Sequence, residues 1–161
     1  MTQLPHSKGC FVCGARNPIG LRLRFRTDGK IVETDFVPSR EHNGFVNVIH
    51  GGILATLLDE IMVWACGVET RQFAYCAEMT VRYLSPSRPG EGIRARAELV
   101  ENKRGRLLLA RGELFGPAGQ ILATATGKYL PVKDVPFASL LEDFEGTSEE
   151  LGNFFGKPPA K

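Results

Sequence analysis

The chain has 161 residues, 43% hydrophobic and 24% charged, with 20 lysines and arginines against 18 aspartates and glutamates and a net charge of +2. That describes one average globular domain, large enough to bury a core without disulfides or metal, and it excludes wholesale disorder. So even a charge balance leaves no electrostatic footprint for nucleic acid.

No apolar stretch is expected to come near the ~20 residues that span a bilayer. The longest, Ile53 to Ala65, is interrupted by Thr56, Asp59 and Glu60. Met1 to Gly9 has no apolar run of the kind a secretory leader carries. A cytoplasmic location without a membrane partner is the expectation, with the cysteines reduced. Cys10 and Cys13 are close, Cys66 and Cys76 sit in apolar segments, and no even disulfide framework emerges.

Residues 1–20 are rich in glycine, proline and polar groups and show no clear period. Leu21-Arg22-Leu23-Arg24-Phe25-Arg26 alternates apolar and charged, predicting a strand with one wet face. Asp28-Gly29 signals a hairpin turn, and Ile31 to Val37 resumes extended character until Pro38. From Gly51 the period changes. Leu54, Leu57, Leu58, Ile61, Met62 and Ala65 keep helical spacing, while Ile53, Val63 and Trp64 fall off that stripe. A helix apolar on nearly every side is a buried one, and Gly67 is placed to end it.

Strands follow. Tyr75 to Leu84 is closed by Ser85-Pro86, and Ile93, Ala95, Ala97 and Leu99 alternate with Arg94, Arg96 and Glu98. Asn102 to Gly105 and Gly116 to Gly119 are hairpin loops leading into Leu107 to Phe115 and Gln120 to Leu130. The predicted class is therefore α+β, an antiparallel sheet wrapped around one long central helix over residues 21–132. Open edge strands predict pairing of two copies. Residues 133–161 change composition and suggest a peripheral helix or a partly disordered appendage.

The informative stretch runs from Glu41 through His50-Gly51-Gly52 into the buried helix. Twin glycines at a helix start cost backbone entropy, so something should require the missing side chains. The gain is access: first-turn N–H groups lack intrahelical partners, and a carbonyl oxygen or anion can approach them closely. That is an oxyanion hole in embryo. Asp59 lies two turns further on, where a carboxylate is costly unless hydrogen-bonded, paired or facing a cavity. Glu60 points about 100° away around the helix, so the two are not expected to act as a pair, and one should reach solvent or a subunit boundary. Taken singly, His50 as a cap and Asp59 as an ion-paired interface residue are the plainer readings. Together the features are hard to credit to coincidence.

These residues resemble a known family. His50-Gly51-Gly52-Ile53-Leu54-Ala55-Thr56-Leu57-Leu58-Asp59 resembles the His-Gly-Gly-x6-Asp signature of hotdog-fold acyl-CoA thioesterases of the phenylacetate-degradation and human-thioesterase-superfamily type, within the 4-hydroxybenzoyl-CoA thioesterase-like superfamily. Met79 to Pro86 and Pro89-Gly90-Glu91 continue the likeness, which covers roughly residues 17 to 132. The resemblance implies a hotdog fold, a homodimer or dimer of dimers (a homotetramer), and a site shared between subunits that hydrolyses acyl-CoA. Asp59 would be general base or nucleophile, the Gly51 N–H would polarise the carbonyl, and His50 would hold the loop or orient the acyl group. Gly52, Asn43 and Cys76 would contact substrate. Two positions depart from the family: Cys76 where a serine or threonine is usual, and Asn47 where a glycine is common.

No cofactor is expected. Cys10-x2-Cys13 with His6 offers three zinc ligands where structural zinc usually takes four. Cys10-Phe11-Val12-Cys13-Gly14 and Asn17-Pro18-Ile19-Gly20-Leu21 resemble a run in a subset of hotdog proteins, which implies that residues 1–20 are an N-terminal packing segment rather than a metal site. Lys103, Arg104 and Arg106 suit CoA phosphates but fit a solvated turn better. Phe45, Trp64 and Tyr75 either line an aromatic slot or belong to the core. Two other functions compete with hydrolysis. A non-catalytic acyl or aromatic ligand-binding dimer is kept open by Cys76. A hotdog hydratase or dehydratase ranks lower, because its histidine motifs are missing.

Overall fold

The computed structural model describes residues 1–133, 139 and 142–146. In chain order its elements are β1 (Thr2–Gln3), β2 (His6–Ser7), β3 (Arg26–Thr27), β4 (Ile31–Phe36), β5 (Asn43–Phe45), β6 (Val48–Ile49), helix α1 (Gly51–Thr70), β7 (Ala74–Tyr83), β8 (Ile93–Asn102), β9 (Leu108–Phe115), β10 (Ile121–Pro131) and β11 (Phe144–Glu145). The main sheet is seven-stranded and antiparallel, in the order β1-β3-β4-β8-β9-β10-β7. Strands β8, β9 and β10 form the expected meander, with β7 added at one edge. The sheet packs around α1 as predicted.

Alternation explains the two faces. Ile93, Ala95, Ala97 and Leu99 are buried while Arg94 and Arg96 are exposed. The outward residues pair across strands, as in Arg111 with Glu98 and Lys128 with Glu78. Inward, the sheet centre is built from Ala95, Ala97, Ala110, Gly112 and Ala125. The helix supplies the bulk: Leu57, Leu58, Ile61 and Met62 have no exposed surface, each contributing roughly 1.5–3 kcal/mol by burial. A Cβ on Gly112 would lie 3.2 Å from both Leu58 Cδ2 and Met62 Cγ, so the missing side chain sets how closely α1 approaches.

Several expectations are corrected. Leu21 to Phe25 keeps the predicted burial alternation, yet only Arg26–Thr27 joins the ladder. Arg22 has φ 54°, and Leu21 and Leu23 instead bond through their N–H groups to the Phe11 and Val12 carbonyls. The helix does not stop at Gly67, which is buried within it. It ends where Arg71 turns left-handed (φ 57°) and bonds back to the Gly67 carbonyl. At 20 residues and mean hydropathy 1.5, α1 is long and apolar enough by those measures to cross a membrane, contrary to the sequence estimate. Here its apolar surface is turned against the sheet. Trp64 is core, packed between a tilted Phe25 and an edge-on Phe144, whereas Phe45 and Tyr75 are exposed. The C-terminal tail lies mostly outside the described residues; within them, β11 pairs with β2.

Candidate active site

The hairpin of β5 and β6 delivers the chain to the helix. Asn43 pairs with Ile49, the Ile49 N–H bonds to the Ser87 carbonyl at 2.9 Å, and the His50 N–H bonds to the His42 carbonyl at 2.8 Å. Between the strands Asn47 has φ 56°. This explains one departure from the family pattern: the position needs left-handed backbone, which glycine adopts freely and asparagine tolerates best among side chains. The Asn43 Oδ1 is buried without a hydrogen-bond partner among the described residues.

His50 precedes the first helical residue, and its Nδ1 accepts from the Gly52 N–H at 2.8 Å. An accepting Nδ1 carries no proton, so the neutral ring keeps its proton on Nε2. The plainer reading of His50 as a cap is therefore correct. It also occupies the Gly52 amide, so Gly52 is not the open donor that its assignment to substrate binding implied. The Ile53 N–H bonds to the His50 carbonyl at 2.9 Å. That leaves the Gly51 N–H, which has no acceptor among the described residues.

The twin glycines also have a steric reason that the sequence did not disclose. A Cβ on Gly52 would sit 2.8 Å from His50 Nδ1, and one on Gly51 3.2 Å from Tyr83 Cζ. The Tyr83 hydroxyl donates to the Gly51 carbonyl at 2.9 Å, fixing the first turn from β7. Tyr83 was missed at sequence level; its place at the strand end, just before Ser85-Pro86, was the available signal.

Asp59 is half-buried in mid-helix, and its Oδ1 accepts from the Tyr129 hydroxyl at 3.2 Å. Tyr129 is fully buried on β10, and its ring lies over Gly127, where a Cβ would come within 2.5 Å of Cε2. Burial and then the neighbouring Asp59 push the Tyr129 hydroxyl well above its ordinary pKa, so it stays protonated and donates. Cys76 stands opposite Tyr129 across the β10–β7 ladder, beside a bulge at Ala77. Such bulges re-aim side chains, and Cys76 lies close enough to Asp59 for the carboxylate to act on its thiol. Burial first, then Asp59, raise the Cys76 pKa. Sequence reasoning missed Tyr129, though Gly127-x-Tyr129 on an inward-facing strand was a visible hint.

Glu60 behaves as the geometry of consecutive helical residues requires, turning away from Asp59. Its Oε1 accepts from Trp64 Nε1 at 3.2 Å and faces Cys10 Sγ at 3.7 Å. Burial, and then the Cys10 sulfur, push its pKa up to about 7. Asp59, the other carboxylate, takes the more open position expected of one of the two.

The two halves of the candidate site do not meet within one chain. Eight residues separate Gly51 from Asp59, about 12 Å of helix at ~1.5 Å per residue. One carbonyl cannot touch both. Beside Asp59, exposed Gly52 and the partly exposed Ala55 and Thr56 run as a stripe along one face of the helix.

Residues 46–110 match the family model described as the thioesterase superfamily. No curated protein matches the chain in sequence. Among solved structures the chain is similar to the PaaI protein of the E. coli phenylacetic acid degradation operon, at 18% identity and TM-score 0.64 over 70% of this chain and 81% of that one. It is similar to smu.793 from Streptococcus mutans UA159, bound to acetyl CoA, at 18% identity and TM-score 0.63, covering 68% and 88% of the two chains. Zebra fish thioesterase superfamily member 2 aligns at 20% identity and TM-score 0.66, covering 75% of this chain and 90% of that one. Likenesses at this level establish the hotdog fold.

Proposed function

We propose that this protein hydrolyses an acyl-CoA thioester to the free acid and CoA, at a site that two copies build together. The observation that carries the proposal is the pairing of one unengaged first-turn amide, at Gly51, with one half-buried carboxylate, at Asp59, held by the Tyr129 hydroxyl. Asp59 acts as general base, taking a proton from the water that attacks the thioester carbonyl; direct attack by Asp59 as a nucleophile is the variant of the same scheme. The Gly51 N–H stabilises the oxyanion. Collapse of the tetrahedral intermediate breaks the C–S bond, and CoA leaves as a thiolate that takes up a proton. His50 holds the turn by its hydrogen bond to Gly52, and Asn43, paired with Ile49 in the hairpin, is the polar residue upstream of it.

The 12 Å spacing and the exposed stripe support a homodimer in which Gly51 of one copy faces Asp59 of the other. Strand β7 is a ten-residue open edge, and exposed Phe45, Val46, Tyr83 and Leu84 lie on the segments next to the helix entrance. Open edges and exposed apolar patches of this kind are normally covered. All four cysteines are free, in keeping with a reducing compartment such as the cytoplasm. The matched family and the acetyl CoA-bound neighbour support the substrate class.

The test is release of free CoA from short, medium, long and aryl acyl-CoAs. Asp59→Asn should lower kcat by on the order of a hundredfold or more with oligomeric state and melting unchanged. Equal turnover by the variant on every substrate would sink the proposal. Cys76, a thiol at the position beside Asp59 where the family usually carries a hydroxyl, favours one alternative: a dimer that binds acyl-CoA without cleaving it. Tight binding with no CoA release would select it.

A further inference from the structure

On another side of α1 from Asp59, the N-terminal segment folds a loop against the helix. Gly14 closes that loop: its N–H bonds to the Cys10 carbonyl at 2.9 Å, and a Cβ there would meet the same oxygen at 2.3 Å. The tight turn brings the sulfurs of Cys10 and Cys13 and a carboxylate oxygen of Glu60 together, all within 4.8 Å of one another. We propose that Cys10, Cys13 and Glu60 bind one zinc-class divalent cation, with the fourth position filled by water.

The distances suit such an ion. Zinc with ligands at ~2.3 Å for sulfur and ~2.0–2.2 Å for oxygen has a sulfur–oxygen edge of roughly 3.5 Å in a tetrahedron. Cys10 Sγ and Glu60 Oε1 are 3.7 Å apart. The surrounding contacts orient the donors as the outer shell of a metal site does. The Val12 N–H donates to Cys10 Sγ at 3.2 Å, and Trp64 Nε1 donates to Glu60 Oε1 at 3.2 Å. A cavity of about 220 Å³ opens beside the three donors, bounded by Val63, Trp64, Phe73 and Phe144, with room for a water ligand. Two thiolates and a carboxylate against such apolar walls are costly without a compensating cation. Thiolate donors select zinc-like ions over magnesium or calcium.

This differs from the sequence reading in the identity of the third donor. His6, four residues before Cys10, is instead paired through Nε2 with Glu145 at 3.4 Å. Glu60 takes its place, supplied by a helix fifty residues away, and the ion would fasten residues 10–13 to α1.

The experiment is a titration of the reduced, chelator-treated full-length protein with Zn2+ and Co2+. One ion per chain should bind, with thiolate-to-cobalt charge-transfer absorption in the near ultraviolet. Cys10→Ser, Cys13→Ser and Glu60→Gln should each lose tight binding, while Cys76→Ser keeps it. The wild-type cobalt spectrum stands on its own should a variant fail to fold. Absence of uptake, a cobalt spectrum without thiolate character, binding that survives Cys10→Ser, or a Cys10–Cys13 disulfide forming under air with no metal taken up by the reduced protein would each overturn the site.

Discussion

If the reacting groups come from opposite copies, two inactive variants should repair each other. One chain carries Asp59→Asn, with its Gly51 amide intact. The other carries Gly51→Val, whose side chain starts 3.2 Å from Tyr83 Cζ and covers the amide, with its Asp59 intact. Each homodimer should fall by on the order of a hundredfold or more, having lost the base or the oxyanion donor at both sites. A mixed dimer has one site with both defects and one with neither. Random pairing makes about half the dimers mixed, so co-expression should restore roughly a quarter of wild-type turnover, and the doubly tagged heterodimer about half. The expectation of a shared site rests on the ~12 Å that separates Gly51 from Asp59 along one helix. The assay is CoA release by heterodimer isolated through two different tags. A heterodimer no more active than its parents would refute the shared site.

Gly127→Ala should cost about 1–3 kcal/mol by overpacking the fully buried Tyr129 ring, which for a domain of this size lowers Tm by roughly 2–12 °C. In calorimetry the penalty should shrink in a Tyr129→Leu background, where the clashing ring is gone; strict additivity would show that the ring is not what Gly127 accommodates. Cys10 is held down to about 5 by hydrogen bonds from the Cys13 thiol and the backbone, against an ordinary 9.0. Its thiolate therefore persists on acidification until the pH falls through about 5. In metal-free protein, alkylation mapped by mass spectrometry should find Cys10 labelled first at pH 6.5, and Cys76, raised by burial, later. Reversal of that order would contradict the assignment.

What the sequence disclosed followed from periodicity. The helical stripe from Leu54 to Ala65 and the alternation from Ile93 to Leu99 each carry their own signal, so the helix, the meander and the sheet-around-helix layering were available early. Boundaries set by tertiary contacts were not. Gly67 looked like a stop but is buried inside a helix that runs to Thr70, and Leu21 to Phe25 alternates without a partner strand on its edge. At the candidate site, Asp59 and the glycines were visible because they break an apolar pattern. The sequence hinted at Tyr83 by its strand end and at Tyr129 by Gly127-x-Tyr129, but their partners Gly51 and Asp59, and the Ala77 bulge, depend on a strand register that no local pattern reports. Glu60 was visible as a residue but not as a neighbour of Cys10, since fifty residues of chain separate them.

The alanine and glycine floor beneath α1 has an evolutionary corollary. Leu58 and Met62 rest on Gly112 at van der Waals limits, so the helix cannot sink, tilt or slide without rebuilding the sheet under it. Gly51 and Asp59 ride on that one rigid rod, and their spacing is as invariant as the rod itself. If the proposed acyl-CoA hydrolysis holds, descendants of this sequence seeking a longer, shorter or bulkier acyl chain can change little on the helix. Their freedom lies in the β5–β6 hairpin and just past the end of β7, where Phe45, Val46 and Leu84 are exposed. On the proposed mechanism, diversification of substrate choice should therefore be written in those few apolar positions, around a Gly51–Asp59 spacing that stays put.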